Sequence, residues 1–302
     1  MKFLIVIVGP TAVGKTSFSI EMAQFFGTEV VSVDSRQVFK ELEIGTAKPT
    51  QEEQAQAIHH FVDSHSIHED FNAGDFEREA LLLLEELYKK HDVVVLTGGS
   101  GLYVKALTDG MAEMPQVPAE VRDELKKEAA ENGLEKLLNE LNDKDPEYFA
   151  EVDVNNPQRV IRALEVIRGT GQKYSELRKD SKKERPFNTI KIGLERPREE
   201  LYARIDLRMD QMIEEGLFDE AESFHKFKHI NALQTVGYKE IFDYLDGEYD
   251  YEEAVRLLKR NSRRYAKRQM TWFRKDDETV WFHPKDKEEA LSYIKQRMEK
   301  GR

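Results

Sequence analysis

Residues 9–16 read Gly9-Pro10-Thr11-Ala12-Val13-Gly14-Lys15-Thr16, directly after an apolar run at residues 3–8 and directly before a stretch with helical spacing. A G-x-x-x-x-G-K-[ST] octapeptide between a strand and a helix constrains the fold more than any other feature of this chain. Gly9 and Gly14 open backbone conformations that side-chain-bearing residues avoid. Successive N–H groups then converge on an anion at the positive end of a helix dipole. Lys15 adds a point charge for the terminal phosphate, and the Thr16 hydroxyl can ligate Mg²⁺. The loop therefore implies a phosphorylated ligand at the carboxyl end of a buried strand, and hence a layered α/β architecture.

The rest of the chain reads consistently with that. Apolar runs at residues 29–33, 93–96, 189–194 and 279–282 are separated by helical patterns such as 16–26 and 77–90. Strands alternating with helices predict a mostly parallel sheet covered on both faces. Ligands in such sheets sit beyond the carboxyl ends of the strands. That rule gathers the loop at 9–16, Asp34-Ser35-Arg36-Gln37 after the second strand, and Thr97-Gly98-Gly99-Ser100-Gly101 after the third. Between residue 114 and residue 186 the pattern becomes helical and charge-rich, with no convincing strand. We therefore expect an all-α insertion over 114–186 in a P-loop-type core formed by 1–113 and 187–302. Within the insertion, Asn156 is a good N-cap with Pro157 at the first helical position.

With 302 residues and 39% hydrophobic content the chain can build a sizeable core, and it has no cysteine, which excludes disulfides and thiolate metal sites. The apolar start leads into the phosphate loop rather than a cleavage site, and no run approaches a membrane span, so a cytoplasmic protein is expected. The formal net charge of −12 argues against a nucleic-acid partner until its distribution is considered. Between Ala254 and Lys275 stand nine basic residues and no acidic one, interleaved with Val255, Leu257, Leu258, Tyr265, Met270, Trp272 and Phe273. This pattern predicts a packed helix with a basic, polyanion-binding face.

The residues around the phosphate leave several chemistries open. Asp34, closing a strand, could orient Mg²⁺ or its water, act as a general base, or cap a turn. Ser35, Arg36 and Gln37 could read a base edge. No Asn-Lys-x-Asp nucleotide-specificity motif is present, and the 93–96 strand ends in Thr97 rather than Asp. Phosphate binding alone does not choose between a P-loop kinase for a small metabolite and a reaction in which diphosphate leaves.

Several segments together resemble the tRNA dimethylallyltransferase family across nearly the whole chain. They are the phosphate loop, Ser32-Val33-Asp34-Ser35-Arg36-Gln37-Val38-Phe39, Ile44-Gly45-Thr46-Ala47-Lys48-Pro49, Gly98-Gly99-Ser100-Gly101-Leu102-Tyr103, Asn156-Pro157-Gln158-Arg159-Val160-Ile161-Arg162, Thr235-Val236-Gly237-Tyr238-Lys239-Glu240 and Ala266-Lys267-Arg268-Gln269-Met270-Thr271-Trp272. Ser100 departs from the Thr common in that family but keeps the hydroxyl. The resemblance implies Mg²⁺-dependent transfer of a dimethylallyl group from dimethylallyl diphosphate to N6 of adenine 37 beside the tRNA anticodon. It implies diphosphate on residues 9–16, Mg²⁺ on Thr16, Asp34 as base, and Lys15, Ser100 and Arg208 at the diphosphate. It further implies RNA contacts from Asp34, Ser35, Arg36, Gln37 and Ser100, from Arg122, Gln158, Arg159, Val160, Ile161 and Arg162, and from Lys267, Arg268 and Gln269. The insertion would clasp the anticodon stem, and a monomer is expected. Chemistry on a base requires its extrusion into a pocket, which suits this reading.

Overall fold

The computed structural model describes residues 1–112, 114–178 and 183–301. Contacts divide it into two compact units: residues 1–108 with 185–302, and residues 109–184. The return point falls two residues before the expected 186/187 boundary, and the expected boundary at residue 113 lies outside the described residues.

The larger unit contains six strands: β1 (Phe3–Val8), β2 (Val30–Ser32), β3 (His59–His60), β4 (Val93–Gly98), β5 (Asn188–Leu194) and β6 (Val280–Phe282). Its helices are α1 (Lys15–Phe26), α2 (Gln51–Gln56), α3 (Ala73–Leu87), α4 (Gly101–Asp109), α10 (Arg198–Glu214), α11 (Leu217–Phe224), α12 (Tyr238–Leu245), α13 (Tyr251–Phe273) and α14 (Lys287–Lys300). The strands form one parallel sheet in the order β3-β2-β4-β1-β5-β6. β1 is central because it can be: all six of its residues are apolar and all are buried. Its side chains alternate between the two faces, as the pleat requires. Leu4, Val6 and Val8 join the core beneath α3, α4, α11 and α12, while Phe3, Ile5 and Ile7 join the core beneath α1 and α14. In register, Val8 pairs with Gly98 of β4 and Gly193 of β5, so three strands end at one level. The segments that follow are thereby brought to one sheet edge.

The smaller unit is helical throughout its described elements: α5 (Ala119–Asn132), α6 (Glu135–Lys144), α7 (Pro146–Glu151), α8 (Pro157–Thr170) and α9 (Tyr174–Leu177). Leu125, Leu137, Leu141, Val160 and Leu164 form its own core. Asn156 caps α8 by accepting from Arg159 N–H at 3.3 Å, with Pro157 in the first turn.

Candidate active site

Gly9, just past β1, has φ of +151°, and a Cβ there would lie 2.6 Å from the Leu194 carbonyl oxygen, so only glycine fits. Gly14 turns the chain into α1 with φ of +109°. The loop's carbonyls are taken up by cations. Lys15 Nζ donates to Gly9 O at 3.0 Å and Pro10 O at 2.9 Å, Arg204 Nε to Ala12 O at 2.9 Å, and Arg196 Nε to Val13 O at 2.8 Å. Arg208 donates to the Thr11 hydroxyl. The loop is thus held open by side chains that carry positive charge, which concentrates that charge around it.

On α13, buried Gln269 accepts from Thr11 N–H at 2.8 Å and donates to Gly99 O at 3.0 Å. One amide side chain therefore ties the phosphate loop to the second glycine cluster. Glycine at 99 leaves room for this link, since a Cβ there would sit 2.2 Å from Gln269 Nε2 and displace the amide. Ser100 Oγ accepts from Ser35 N–H at 2.9 Å, and Ser100 N–H donates to Val33 O at 3.3 Å, joining the β4 and β2 termini.

Asp34 Oδ1 accepts from the N–H groups of Arg36 at 2.9 Å and Gln37 at 3.3 Å. This is an Asx-type turn, and it leaves Oδ2 without a hydrogen bond among the described residues. Lys15, Thr16, Asp34, Gln37, Thr46, Ala47, Arg208 and Gln269 line one cavity of about 460 Å³. Burial pushes the Lys15 ammonium down from 10.5 to about 8, with Asp34 opposing the shift and Arg208 adding to it. Burial also lowers Arg208, again against the pull of Asp34. Two desolvated cations facing one carboxylate make a cavity that gains by taking up an anion.

Residues 37–276 match the family model described as IPP transferase. The chain belongs to that family. It is 57% identical over 298 residues to the tRNA dimethylallyltransferase of Cytophaga hutchinsonii, covering 99% of this chain and 98% of the relative. It is 48% identical to tRNA dimethylallyltransferase 1 of Bacteroides thetaiotaomicron, covering 98% and 96%. Among solved structures, a tRNA isopentenylpyrophosphate transferase from Bacillus halodurans superposes with a TM-score of 0.74 at 39% identity, covering 99% and 98% of the two chains. A eukaryotic dimethylallyltransferase acting on tRNA gives 0.75 at 29% identity, covering 90% of this chain and 70% of that one. The core is the P-loop NTPase-like α/β fold that the sequence implied.

For this IPP transferase the other expected site residues divide by location. Asp34, Ser35, Arg36, Gln37 and Ser100 gather at the ends of β2 and β4. Gln158 and Arg159 are exposed at the start of α8, and Arg122 and Arg162 both pair with Glu165 at 4.0 and 2.9 Å. Val160 is fully buried and Ile161 nearly so in the helical core, so helical spacing points both side chains inward, and any RNA contact at these two positions falls to their backbone. Gln269, expected as an RNA contact, is a buried link between two loops that also lines the cavity. The basic helix is less bare than its sequence. Arg256 pairs with Glu253, Lys259 with Asp210, Arg263 with Asp206 and Arg274 with Glu195. Arg264, Lys267, Arg268 and Lys275 form no ion pair among the described residues, and Arg268 lies over the Tyr265 ring. Sequence reasoning missed Arg196 and Arg204. The four-residue spacing of Arg204 and Arg208 on one helix face was the available signal for the second.

Proposed function

We propose that this protein moves the dimethylallyl group of dimethylallyl diphosphate onto N6 of adenine 37 of tRNA, working as a cytoplasmic monomer. The observation that carries this reading is that the phosphate loop and Asp34, whose Oδ2 has no hydrogen-bond partner among the described residues, line the same cavity. A diphosphate seated on residues 9–16 places its allylic carbon beyond Lys15 and Arg208, toward Asp34. The carbon–oxygen bond to the diphosphate breaks, and its electron pair leaves with the phosphate oxygen. Lys15 and Arg208 stabilise the charge that develops there. The N6–carbon bond forms, and Asp34 Oδ2 takes the proton that the amine loses. The exocyclic amine is a weak nucleophile because its lone pair is shared with the ring, so an aligned base helps. With the Asp34 turn built on Oδ1, Oδ2 is held in a fixed direction for that transfer.

Thr16 lines the same cavity, and among the described residues no group of three or more His, Cys, Asp or Glu side chains is placed to hold a metal ion. A single hydroxyl beside phosphate oxygens and water fits Mg²⁺, which rarely uses an all-protein cage. When bound there, Mg²⁺ would add positive charge at the leaving diphosphate. Exposed Gln158 and Arg159, with Arg122 and Arg162, are the side chains by which the helical unit would hold the anticodon stem. No helix of the described residues is long and apolar enough to cross a membrane.

The test combines purified protein, Mg²⁺, labelled dimethylallyl diphosphate and an anticodon stem-loop, with ATP and small metabolites run in parallel. Label on the RNA only when the target adenine is present is the expected result. ATP turnover without label transfer would replace this reading with a kinase.

A further inference from the structure

The Ile44-Gly45-Thr46-Ala47 turn forms part of the cavity wall; its own bonds, Ala47 N–H to Ile44 O at 3.0 Å and the Thr46 hydroxyl to Leu42 O and Glu43 O at 3.1 Å, shape it but do not tie it to the rest of the core. Its N-terminal side is anchored from α11. The Glu220 carboxylate accepts from Glu43 N–H at 3.1 Å, Ile44 N–H at 2.8 Å and Gly45 N–H at 2.9 Å, and also from the Tyr238 hydroxyl. Tyr238 is fully buried, and its ring lies so close to Gly45 that a Cβ there would fall 2.5 Å from ring carbon. Three backbone donors and a phenol on one carboxylate make a strongly directional anchor. Neither Glu220 nor Tyr238 lines the cavity.

What the anchored turn does next is to orient one side chain. Gln37 Nε2 donates to Thr46 O at 3.2 Å and Ala47 O at 3.0 Å. Carbonyl oxygens only accept, so the amide NH₂ must face the turn and the amide oxygen must face away. That oxygen accepts from Ser32 Oγ at 3.2 Å on the cavity side. Gln37 N–H in turn donates to Asp34 Oδ1. Reversing the amide would set Oε1 against two carbonyl oxygens, so the orientation is forced by the turn rather than by Gln37 itself.

We propose that Glu220 and Tyr238 are positioning residues that fix the 44–47 turn and thereby aim the Gln37 amide oxygen, giving the cavity two acceptors, Gln37 Oε1 and Asp34 Oδ2, that select an amino-bearing over a keto-bearing purine. This rests on the reading of the cavity as the seat of the target adenine. An N6 amine has two hydrogens to offer two acceptors. A 6-keto purine brings an oxygen to the same place and leaves both acceptors opposed.

The experiment uses the full chain carrying Glu220→Gln or Tyr238→Phe. It measures transfer to the stem-loop and competition by stem-loops bearing purine or 6-oxopurine at the target position. For Glu220→Gln the KM for dimethylallyl diphosphate should stay within about twofold, because the phosphate loop is untouched. Transfer to RNA should fall about tenfold or more, and the penalty against the 6-oxopurine competitor should shrink several-fold. A merely structural role would lower Tm without changing that competitor ratio. If Glu220→Gln fails to fold, Tyr238→Phe, which loses one hydroxyl and keeps the ring on Gly45, carries the same test with a smaller expected change. A folded variant with unchanged ratio and rate, beside an active wild type, overturns this inference alone. A wild type that never labels the adenine RNA overturns the underlying reading, and this inference with it.

Discussion

If the cavity seats the diphosphate donor as proposed, the buried Lys15 should make donor binding titrate in an unusual place. In the free protein its ammonium is lowered to about 8, chiefly by burial. A bound diphosphate sets negative charge against that ammonium and restores its proton affinity, so the complex keeps the proton well above pH 9. At pH 9 only about one free molecule in ten carries the proton, while at pH 7 about nine in ten do. The apparent affinity for the donor should therefore weaken about tenfold from pH 7 to pH 9. The assay is KM for dimethylallyl diphosphate at saturating stem-loop RNA across pH 6.5 to 9.5. Lys15→Arg is the control, because a guanidinium stays charged throughout; its KM, higher at the outset, should stay level over the same range. A level KM in the wild-type protein would refute the reasoning, since the free ammonium would then keep its proton. The sign for stability follows from the same shift. The folded-state value lies below the unfolded one, so between about pH 8 and 10.5 the unfolded chain binds more protons, and this residue's contribution raises stability as pH climbs through that window. Below it, Lys15 costs the fold about 3 kcal/mol.

Other outcomes follow from the same contacts. Asp34→Asn keeps an oxygen for the Arg36 and Gln37 N–H groups but cannot take a proton, so turnover should fall about 10²-fold or more while stem-loop affinity, measured by fluorescence anisotropy, holds; near-normal turnover would remove Asp34 as the base. Replacing Arg264, Lys267 and Arg268 together with Gln should flatten the salt dependence of RNA binding by about two to three units of log–log slope, whereas Arg263→Gln, already paired with Asp206, should change it by less than one. Gln269→Ala strands Thr11 N–H and Gly99 O, and each unmet group costs about 1–3 kcal/mol; the expected drop in Tm is roughly 4–12 °C, with a raised donor KM, and an unchanged melting curve would mean the two loops do not need this link.

How far such contacts could be read from the sequence depends on their range along the chain. β1 was legible because a strand buried on both faces is apolar at every position, and residues 3–8 are. β3 was not: two histidines at a sheet edge carry no apolar period. α3 was expected at 77–90 and runs Ala73–Leu87, since its start is set by the reciprocal cap between Asn72 and Asp75, a signal outweighed by the later apolar run. The phosphate loop declared itself because its chemistry is local. Gln269 did not, because its partners lie 258 and 170 residues away and a polar residue within a basic run looks solvated. The same reason hid the acids that relieve α13: Asp206 and Asp210 come from α10, and Glu195 from beyond β5, so no spacing within the helix foretold them.

Asp34 exposes a different limit, in which the competing readings of a residue are not rivals at all. From sequence, a carboxylate closing a strand is either a turn cap or a chemical group. Here Oδ1 serves the turn through Arg36 and Gln37, and Oδ2 remains for the cavity. The two uses reinforce each other. Because the turn fixes one oxygen, the other is aimed without a rotamer search, and Gln37, whose N–H holds Asp34, is itself held by the 44–47 turn. On the proposed reading, the base and the turn in the cavity wall are parts of one hydrogen-bonded unit that ends at Glu220, so a change on α11 should reach Gln37 and Asp34 although Glu220 does not line the cavity.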